Sequence, residues 1–362
     1  MHAPPLPISH IHHVELAVGN AKQASYYYRN AFGFDQVGYA GPETGQRNRA
    51  SYLLRQGNAH IILTTPIYKD DPLAGFLNEH GDGVIDIAFR VDNVDSDHVS
   101  AVGRGAKEAV APFTVKDKHG EVRRSAIHTY GDVVHTFINS DEYDGFFLPN
   151  FEPWKIQGRN NGLRAFDHMV GNVEDRQMDV WANWYQQVLG FQQFLSFDDK
   201  QISTAHSALR SKVMASDNMR IKMPINEPAD GLKKSQIQEY VEFNNGPGVQ
   251  HIALYTEDII DTLSTMYEQG VDFLEVPDSY YDELQDRVGV IQEDISVLKK
   301  LKVLVDRDEK GYLLQLFTKP VEDRPTLFYE VIQRRGAEGF GAGNFKALFE
   351  AIEREQARRG NL

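Results

Sequence analysis

Two stretches, HHVELAVGNAKQASYYYRNAFGF (residues 12–34) and FDHMVGNVEDRQMDVWANWYQQVLGF (residues 166–191), carry the same pattern. Each reads as a strand, then an amphipathic helix, then Gly-Phe. In the second, Met178, Trp181, Trp184, Tyr185 and Val188 recur along one helical face. Asn20 stands where an N-cap belongs, and Gly33 and Gly190 stand where a helix ends in a left-handed residue. The likeness continues in order along both halves. SYLLRQGNAHIILTTPI (51–67) pairs with SKVMASDNMRIKMPINEP (211–228), each a strand, a turn, a strand and a proline. GDGVIDIAFRVDNV (81–94) pairs with GPGVQHIALYTEDI (246–259), and GDVVHTFIN (131–139) with GYLLQLFTK (311–319).

Matches in the same order make the chain a tandem duplication. Each half divides again into two strand–helix–strands units, which gives an α+β fold in two domains, residues 1–150 and 151–362. Residues 150–164, with Pro153, Gly158 and Gly162, read as the linker. After Glu330 a last helix is expected, capped by Asn344, with Phe345, Leu348, Phe349 and Ile352 as its apolar stripe.

Composition narrows the function. A chain of 362 residues with 41% hydrophobic and 25% charged residues is long enough for two domains with a large core. A net charge of −14 and the lack of any Lys/Arg run argue against nucleic acid and membrane surfaces as partners. The absence of cysteine excludes disulfides, thiolate metal sites, iron–sulfur clusters and a thiol nucleophile. No apolar run is long enough to span a bilayer. The opening MHAPPLPISHIHH lacks the layout of a signal peptide, so a cytoplasmic protein is expected.

Of 13 histidines, 10 precede residue 150. His10, His12 and His13 attract attention, yet the repeat tests them. His13 corresponds to His168, whereas the counterpart of His251 is Asp86, and no counterpart of Glu330 is evident. The first half is therefore expected to lack a complete ligand set. In the second half His168 and His251 open equivalent units and can face one another. Glu330 lies in TLFYEVIQR (326–334), a strand apolar on both faces, where a carboxylate needs a partner or a cation. Arg334 or Arg335 could be that partner. Two imidazoles and a carboxylate are the facial triad of non-haem Fe(II) oxygenases, although zinc takes the same ligands. Ser211, Asn226, Gln236, Gln250 and Gln315 are neutral hydrogen-bonding side chains among apolar neighbours, and Gln315 shares a strand face with Phe317. Such a lining suits a small aromatic ligand with a hydroxyl or carboxylate. Strict alternation turns Gln250 away from His251 unless the strand bulges.

Longer strings carry a resemblance. KSQIQEYVEFNNGPGVQHIAL (234–254), MPINEP (223–228), GYLLQLFTKPVEDRPTLFYEVIQR (311–334) and GFGAGNFKALFEAI (339–352) closely resemble the 4-hydroxyphenylpyruvate dioxygenase family. The opening repeat resembles it too, so the likeness covers essentially the whole chain. It implies a vicinal oxygen chelate fold, four βαβββ units paired into two half-open barrels plus a C-terminal helix that closes over the site. It implies one Fe(II) per chain on His168, His251 and Glu330. The implied substrate pocket comprises Ser211, Pro224, Asn226, Gln236, Gln250, Gln315, Phe317, Phe328, Asn344 and Phe345. Ser211, Asn226 and Gln236 would act at the phenol end, and Phe317 and Phe345 would sandwich the ring. The implied reaction turns 4-hydroxyphenylpyruvate and O₂ into homogentisate and CO₂, a step of tyrosine catabolism. A homodimer or homotetramer is expected, with the first half structural or at the interface.

Three rivals remain in view. 4-Hydroxymandelate synthase shares substrate, triad and fold, but its members tend to carry a smaller aliphatic residue where Phe317 stands and to depart from Pro224-Ile225-Asn226. Extradiol or glyoxalase-like enzymes share the fold without the GFGAGNF tail. A non-catalytic binder of aromatic acids would have no need of the triad.

Overall fold

The computed structural model describes residues 3–199 and 208–361. The first half opens with β1 (Ile8–Ala17), α1 (Ala21–Asn30), β2 (Asp35–Ala40), β3 (Arg49–Gln56) and β4 (Ala59–Pro66). A connecting helix, α2 (Pro72–His80), leads to β5 (Gly83–Val91), α3 (Val94–Gly103), β6 (Glu108–Asp117), β7 (Gly120–His128) and β8 (Val134–Asn139). After β9 (Glu152–Ile156) the order repeats with β10 (Leu163–Asn172), α4 (Met178–Trp184), β11 (Gln192–Phe197), β12 (Ala208–Ala215) and β13 (Lys222–Ala229). The connecting helix α5 (Gln236–Phe243) precedes β14 (Gly248–Thr256) and α6 (Ile259–Glu268). Two short helices, α7 (Leu284–Val288) and α8 (Ile295–Lys300), come before β15 (Leu304–Arg307), β16 (Tyr312–Phe317) and β17 (Phe328–Arg335). The amphipathic α9 (Phe345–Arg358) follows.

Four βαβββ units are present as the repeat requires. Among the described residues the fourth alone carries a helical insertion, α7 and α8, which the repeat does not reveal. Local chemistry places the helix starts at corresponding points. Asn20, Asn93 and Asp258 each accept a hydrogen bond from the backbone N–H three residues on. Gly33 and Gly190 end their helices at φ of 73° and 72°. The stripe of α4 continues through a single wider turn, Tyr185–Leu189, so that Tyr185, Val188 and Leu189 are all buried.

The strands form two sheets, ordered β6-β7-β8-β5-β1-β4-β3-β2-β9 and β11-β12-β13-β10-β14-β17-β16-β15. In each, the opening strands of two units are antiparallel neighbours at the centre, β1 with β5 and β10 with β14. Parallel pairs flank them, β4 and β8 in the first sheet and β13 and β17 in the second. Each sheet curls into a half-open barrel whose inner face begins at these central strands.

The stretch read as a linker is more ordered than a linker. Residues 152–156 add β9 to the edge of the first sheet beside β2. Pro153 has no N–H to offer and is tolerated because an edge strand needs hydrogen bonds on one side only. One apolar cluster runs through both halves, from Phe32 and Phe89 to Tyr185 and Tyr329. Across the boundary the Tyr28 and Tyr329 hydroxyls are 2.8 Å apart, and Arg324 donates to the Glu79 carbonyl at 2.6 Å. The two halves therefore share a core.

Gly57 shows how closely they meet. Its φ is +55°, and a Cβ there would stand 2.2 Å from the Arg164 carbonyl oxygen of the other half. The adjacent Asn58 N–H donates to that same oxygen at 2.6 Å. Gly57→Ala should destabilise the protein by more than about 1 kcal/mol and lower its thermal midpoint by a few degrees. An unchanged calorimetric midpoint would show that the contact yields without cost.

Candidate metal centre

The strand register assembles the site. His168 on β10 pairs with Ala253 on β14, and Ala253 pairs with Glu330 on β17. Residues level across neighbouring strands project from one face. Ala253 contributes only a methyl, so the imidazole and the carboxylate can lean together over it. His251 lies two residues before Ala253 on the central strand and so shares its face. His168 Nε2 is 3.1 Å and His251 Nε2 is 3.4 Å from the same Glu330 oxygen, Oε2. All three side chains are buried.

Two β-bulges hold the imidazoles. Asp167 is the extra residue of β10 between the pairs Phe166–Leu254 and His168–Ala253, and Gln250 is the extra residue of β14 between Val249–Gly171 and His251–Val170. A bulge breaks alternation, so that a residue and its neighbour reach the same side. His168 Nδ1–H thereby donates to Asp167 Oδ1 at 2.7 Å, and His251 Nδ1–H to Gln250 Oε1 at 2.9 Å. With each Nδ1 committed, each Nε2 is left to face the centre. The bulge that the sequence reading required for Gln250 is present.

Asp167 is in turn held by Arg334, which donates from Nε and Nη2 at 2.7 Å each. The same guanidinium donates to the Gly339 carbonyl at 2.6 Å and lies over the Phe340 ring. Phe340 meets the His168 ring edge-on at 4.8 Å. Arg334 and Arg335 had been possible partners of Glu330. Instead Arg334 serves Asp167, and Arg335 pairs with Glu293. The sequence reading missed Asp167, although a carboxylate directly before a histidine in an apolar strand was a signal.

The electrostatics follow. Burial alone would raise the Asp167 carboxyl, but hydrogen bonds from Arg334 and His168 outweigh it and hold the group well below the usual range. Burial would also raise Glu330, and the two imidazoles reverse that and keep it ionised. Burial lowers His251. For His168 burial is outweighed by Glu330 and Asp167, and its pKa is raised. Glu330 Oε1 is buried with no hydrogen-bond partner. An ionised oxygen bare in such a place is costly, and two nitrogens and a carboxylate converging on one point are what a divalent cation needs. The donor set fits a metal.

Beside it lies a cavity of about 70 Å³. Ser211, Pro224, Asn226, Gln236, Gln250, Phe317, Phe328 and Phe345 line it with His168, His251 and Glu330. Val170, Phe197, Leu209, Val213, Phe340, Leu348, Phe349 and Ile352 complete the wall. Two expected residues are not on it. Gln315 is buried beneath Gly341, whose hypothetical Cβ would meet its amide at 2.3 Å. Asn344 stands at the N-cap position of α9 without a side-chain capping bond and is not on the cavity wall; its Oδ1 accepts from the Tyr280 hydroxyl at 2.6 Å.

The first half shows what the duplication lost. Its counterpart of the ligand row is His13, Ala88 and Thr136, with Asp86 in the place of His251. The bulge residues are His12 and Ile85 in place of Asp167 and Gln250. Thr136, where Glu330 would be, donates to Asp86 instead of offering a carboxylate. Counterpart positions did not reveal Glu15, which joins His13 and Asp86 in a group of ligand atoms within 4.8 Å of one another. Arg124, the counterpart of Gln315, brings a permanent cation near both Asp86 and His13.

Comparison with known proteins agrees with this geometry. Residues 165–316 and 12–122 each match the Glyoxalase/Bleomycin resistance protein/Dioxygenase superfamily. The chain is 49% identical to the 4-hydroxyphenylpyruvate dioxygenase of Tetrahymena thermophila, over 97% of this chain and 91% of that protein. It belongs to the 4-hydroxyphenylpyruvate dioxygenase family. The 4-hydroxyphenylpyruvate dioxygenase of Neurospora crassa is likewise 49% identical, over 97% of this chain and 92% of its own length. A triple mutant of 4-hydroxymandelate synthase from Streptomyces coelicolor superposes with a TM-score of 0.88 at 32% identity, covering 97% of this chain and 100% of its own. Members of the 4-hydroxyphenylpyruvate dioxygenase family are non-haem iron dioxygenases. No helix among the described residues is long and apolar enough to cross a membrane.

Two outcomes check the centre. Fe(II) or Co(II) should raise the thermal midpoint of the wild type and leave Glu330→Ala unmoved, since a cation that binds only the folded state stabilises it. Asp167→Asn should weaken Co(II) about 10–100-fold in a chelator competition, because His168 loses its anionic acceptor. Equal affinity in wild type and Asp167→Asn would remove Asp167 from the metal's support.

Proposed function

We propose that His168, His251 and Glu330 hold one Fe(II), and that the chain converts 4-hydroxyphenylpyruvate and O₂ into homogentisate and CO₂. The observation that carries this reading is the buried convergence of both Nε2 atoms on Glu330, at 3.1 and 3.4 Å, beside an aromatic-walled cavity. Iron, when bound, supplies the positions at which a 2-oxo acid chelates and dioxygen is reduced.

The chain's own residues do the rest. One carboxylate in the ligand set leaves a net positive charge for the anionic 2-oxo acid to offset. Phe317 and Phe345 bound the space for the ring, and Phe328 stacks on the His251 ring at 4.9 Å and keeps it in place. Ser211 and Asn226 face one another across β12 and β13, and with Gln236 they offer donors and acceptors for a phenol hydroxyl. Aliphatic and aromatic side chains over the remainder exclude water from a reactive centre. The reaction balances without a further reductant. The bond between keto carbon and carboxylate breaks, CO₂ leaves, and the keto carbon becomes a new carboxylate that keeps one oxygen atom of O₂. The other oxygen atom goes to the ring as the side chain migrates.

Phe345, Leu348, Phe349 and Ile352 of α9 form one wall of the cavity. We assign α9 the role of a gate that swings aside for binding and closes for chemistry. The first half then serves as structural support or subunit contact in a homodimer or homotetramer working in the cytoplasm.

Metal-free protein given Fe(II) and 4-hydroxyphenylpyruvate should consume O₂ and yield homogentisate, identified by chromatography and mass. His251→Ala and Glu330→Ala should fall to background. Formation of 4-hydroxymandelate would keep the iron site and transfer the chain to the mandelate-forming activity. Substrate binding without O₂ uptake would end the enzymatic reading.

A further inference from the structure

A void larger than the one beside the triad opens at the surface, with His10, Asn58 and Arg220 exposed along it. A cavity of about 610 Å³ lies where the two halves meet, within the size range of small-molecule sites. Its lining is built from repeat counterparts: His10 with Ala165, Ile11 with Phe166, and Asn58 with Arg220. It therefore straddles the pseudo-twofold that relates the halves. His12, His60 and Phe147 from the first half complete it.

Its chemistry is one-sided. Three imidazoles, a guanidinium and an amide converge on the space, and no carboxylate lines it among the described residues. This happens in a chain of net charge −14. The apolar part is aromatic: Phe147 stacks on His60 with ring centroids 5.8 Å apart and tilts against His12 at 5.2 Å. The His12 ring is ordered from behind by a 2.8 Å contact between its Nδ1 and that of His13.

We propose that this cavity is a binding site for a small organic carboxylate with an apolar body, distinct from the metal centre. The carboxylate would be held by Arg220 and the imidazoles of His10, His12 and His60, and the body would lie against Phe147 and Phe166. Arginine and imidazole pair with carboxylates through charge-assisted hydrogen bonds, and an arylacetate carries a carboxylate and an apolar ring in one small molecule.

The surrounding charges agree. Burial and then His60, His10, Arg124 and Arg90 push His12 down to about 3. Burial, Arg55 and His10 push His60 to about 4, opposed only by a backbone hydrogen bond at Asn58. Burial, Arg90 and Arg220 lower His10. Without a ligand the rings are thus neutral and stand in a positive field. A bound anion raises their proton affinity, so the complex takes up protons and binding tightens as pH falls.

The test is calorimetric titration of the iron-loaded full chain with phenylacetate, and in parallel with benzylamine and inorganic phosphate, in wild type, Arg220→Gln and His60→Gln. Arg220 is exposed and His60 is on a cavity wall, so neither change should disturb folding or O₂ uptake with the aromatic 2-oxo acid. The proposal expects phenylacetate to bind, benzylamine not to, and both substitutions to weaken phenylacetate about tenfold or more. It expects affinity to rise between pH 8 and pH 6, with proton uptake measured from buffers of different ionisation enthalpy. Phenylacetate affinity equal in all three proteins would place any binding at the metal centre and overturn the proposal. So would equal binding of benzylamine, binding of phosphate alone, or no binding at all.

Discussion

A carboxylate oxygen with no partner, deep in an apolar barrel, is the constraint around which the second half is organised. Glu330 Oε1 is bare and Oε2 is shared by two imidazoles. Desolvating a carboxylate costs several kcal/mol unless opposite charge stands beside it, and among the described residues no Lys or Arg pairs with it. The arginine nearest in sequence is taken up by Asp167. A divalent cation among the three side chains would remove the penalty. The surroundings make sense on that footing: a small alanine between the outer ligands, and an acceptor behind each histidine.

Those acceptors depend on a backbone irregularity. In a regular strand Asp167 and Gln250 would point away from the histidines that follow them. One inserted residue on each of β10 and β14 brings them round, and the duplication placed bulges at the same points in β1 and β5. The backbone of the two barrels is therefore alike down to its defects. What separates them is side-chain chemistry: aspartate for His251, threonine for Glu330, isoleucine for Gln250, histidine for Asp167 and arginine for Gln315. Five differences on a shared frame separate a donor set that fits a cation from a hydrogen-bonded core that has an arginine beside it. Function here resides in the site and not in the fold.

The support of the metal centre also reaches the tail of the chain. Arg334 clamps Asp167 with one edge of its guanidinium and the Gly339 carbonyl with the other, and it lies over Phe340, which packs on His168. The orientation of a ligand and the path of the backbone into α9 are thus held by one side chain. Asp308 fixes the same segment by accepting from the N–H groups of Glu338 and Gly339. The segment that leads into the helix walling the cavity is thus tethered to the Asp167–His168 pair.

The sequence by itself determined the duplication and the four βαβββ units, which are written in local periodicity and in the repeat. It singled out His168, His251 and Glu330 by residue type and strand context, whereas Pro224, Phe328 and Phe345 entered only through the resemblance of longer strings. It did not determine which way Gln250 faces, because a bulge depends on the pairing of two strands distant in sequence. Gln315 and Asn344 have the right chemistry and the right neighbours, yet Gln315 packs under the Gly341 backbone and Asn344 accepts from the Tyr280 hydroxyl. Glu15 was invisible because it has no ligand counterpart and joins His13 and Asp86 only through the pairing of β1 with β5. Residues 152–156 read as a linker because a short proline-bearing strand has no periodicity of its own and exists only through the edge it joins. Residue type and spacing are properties of the chain, whereas which polar group satisfies which is settled only when the two sheets close on one core.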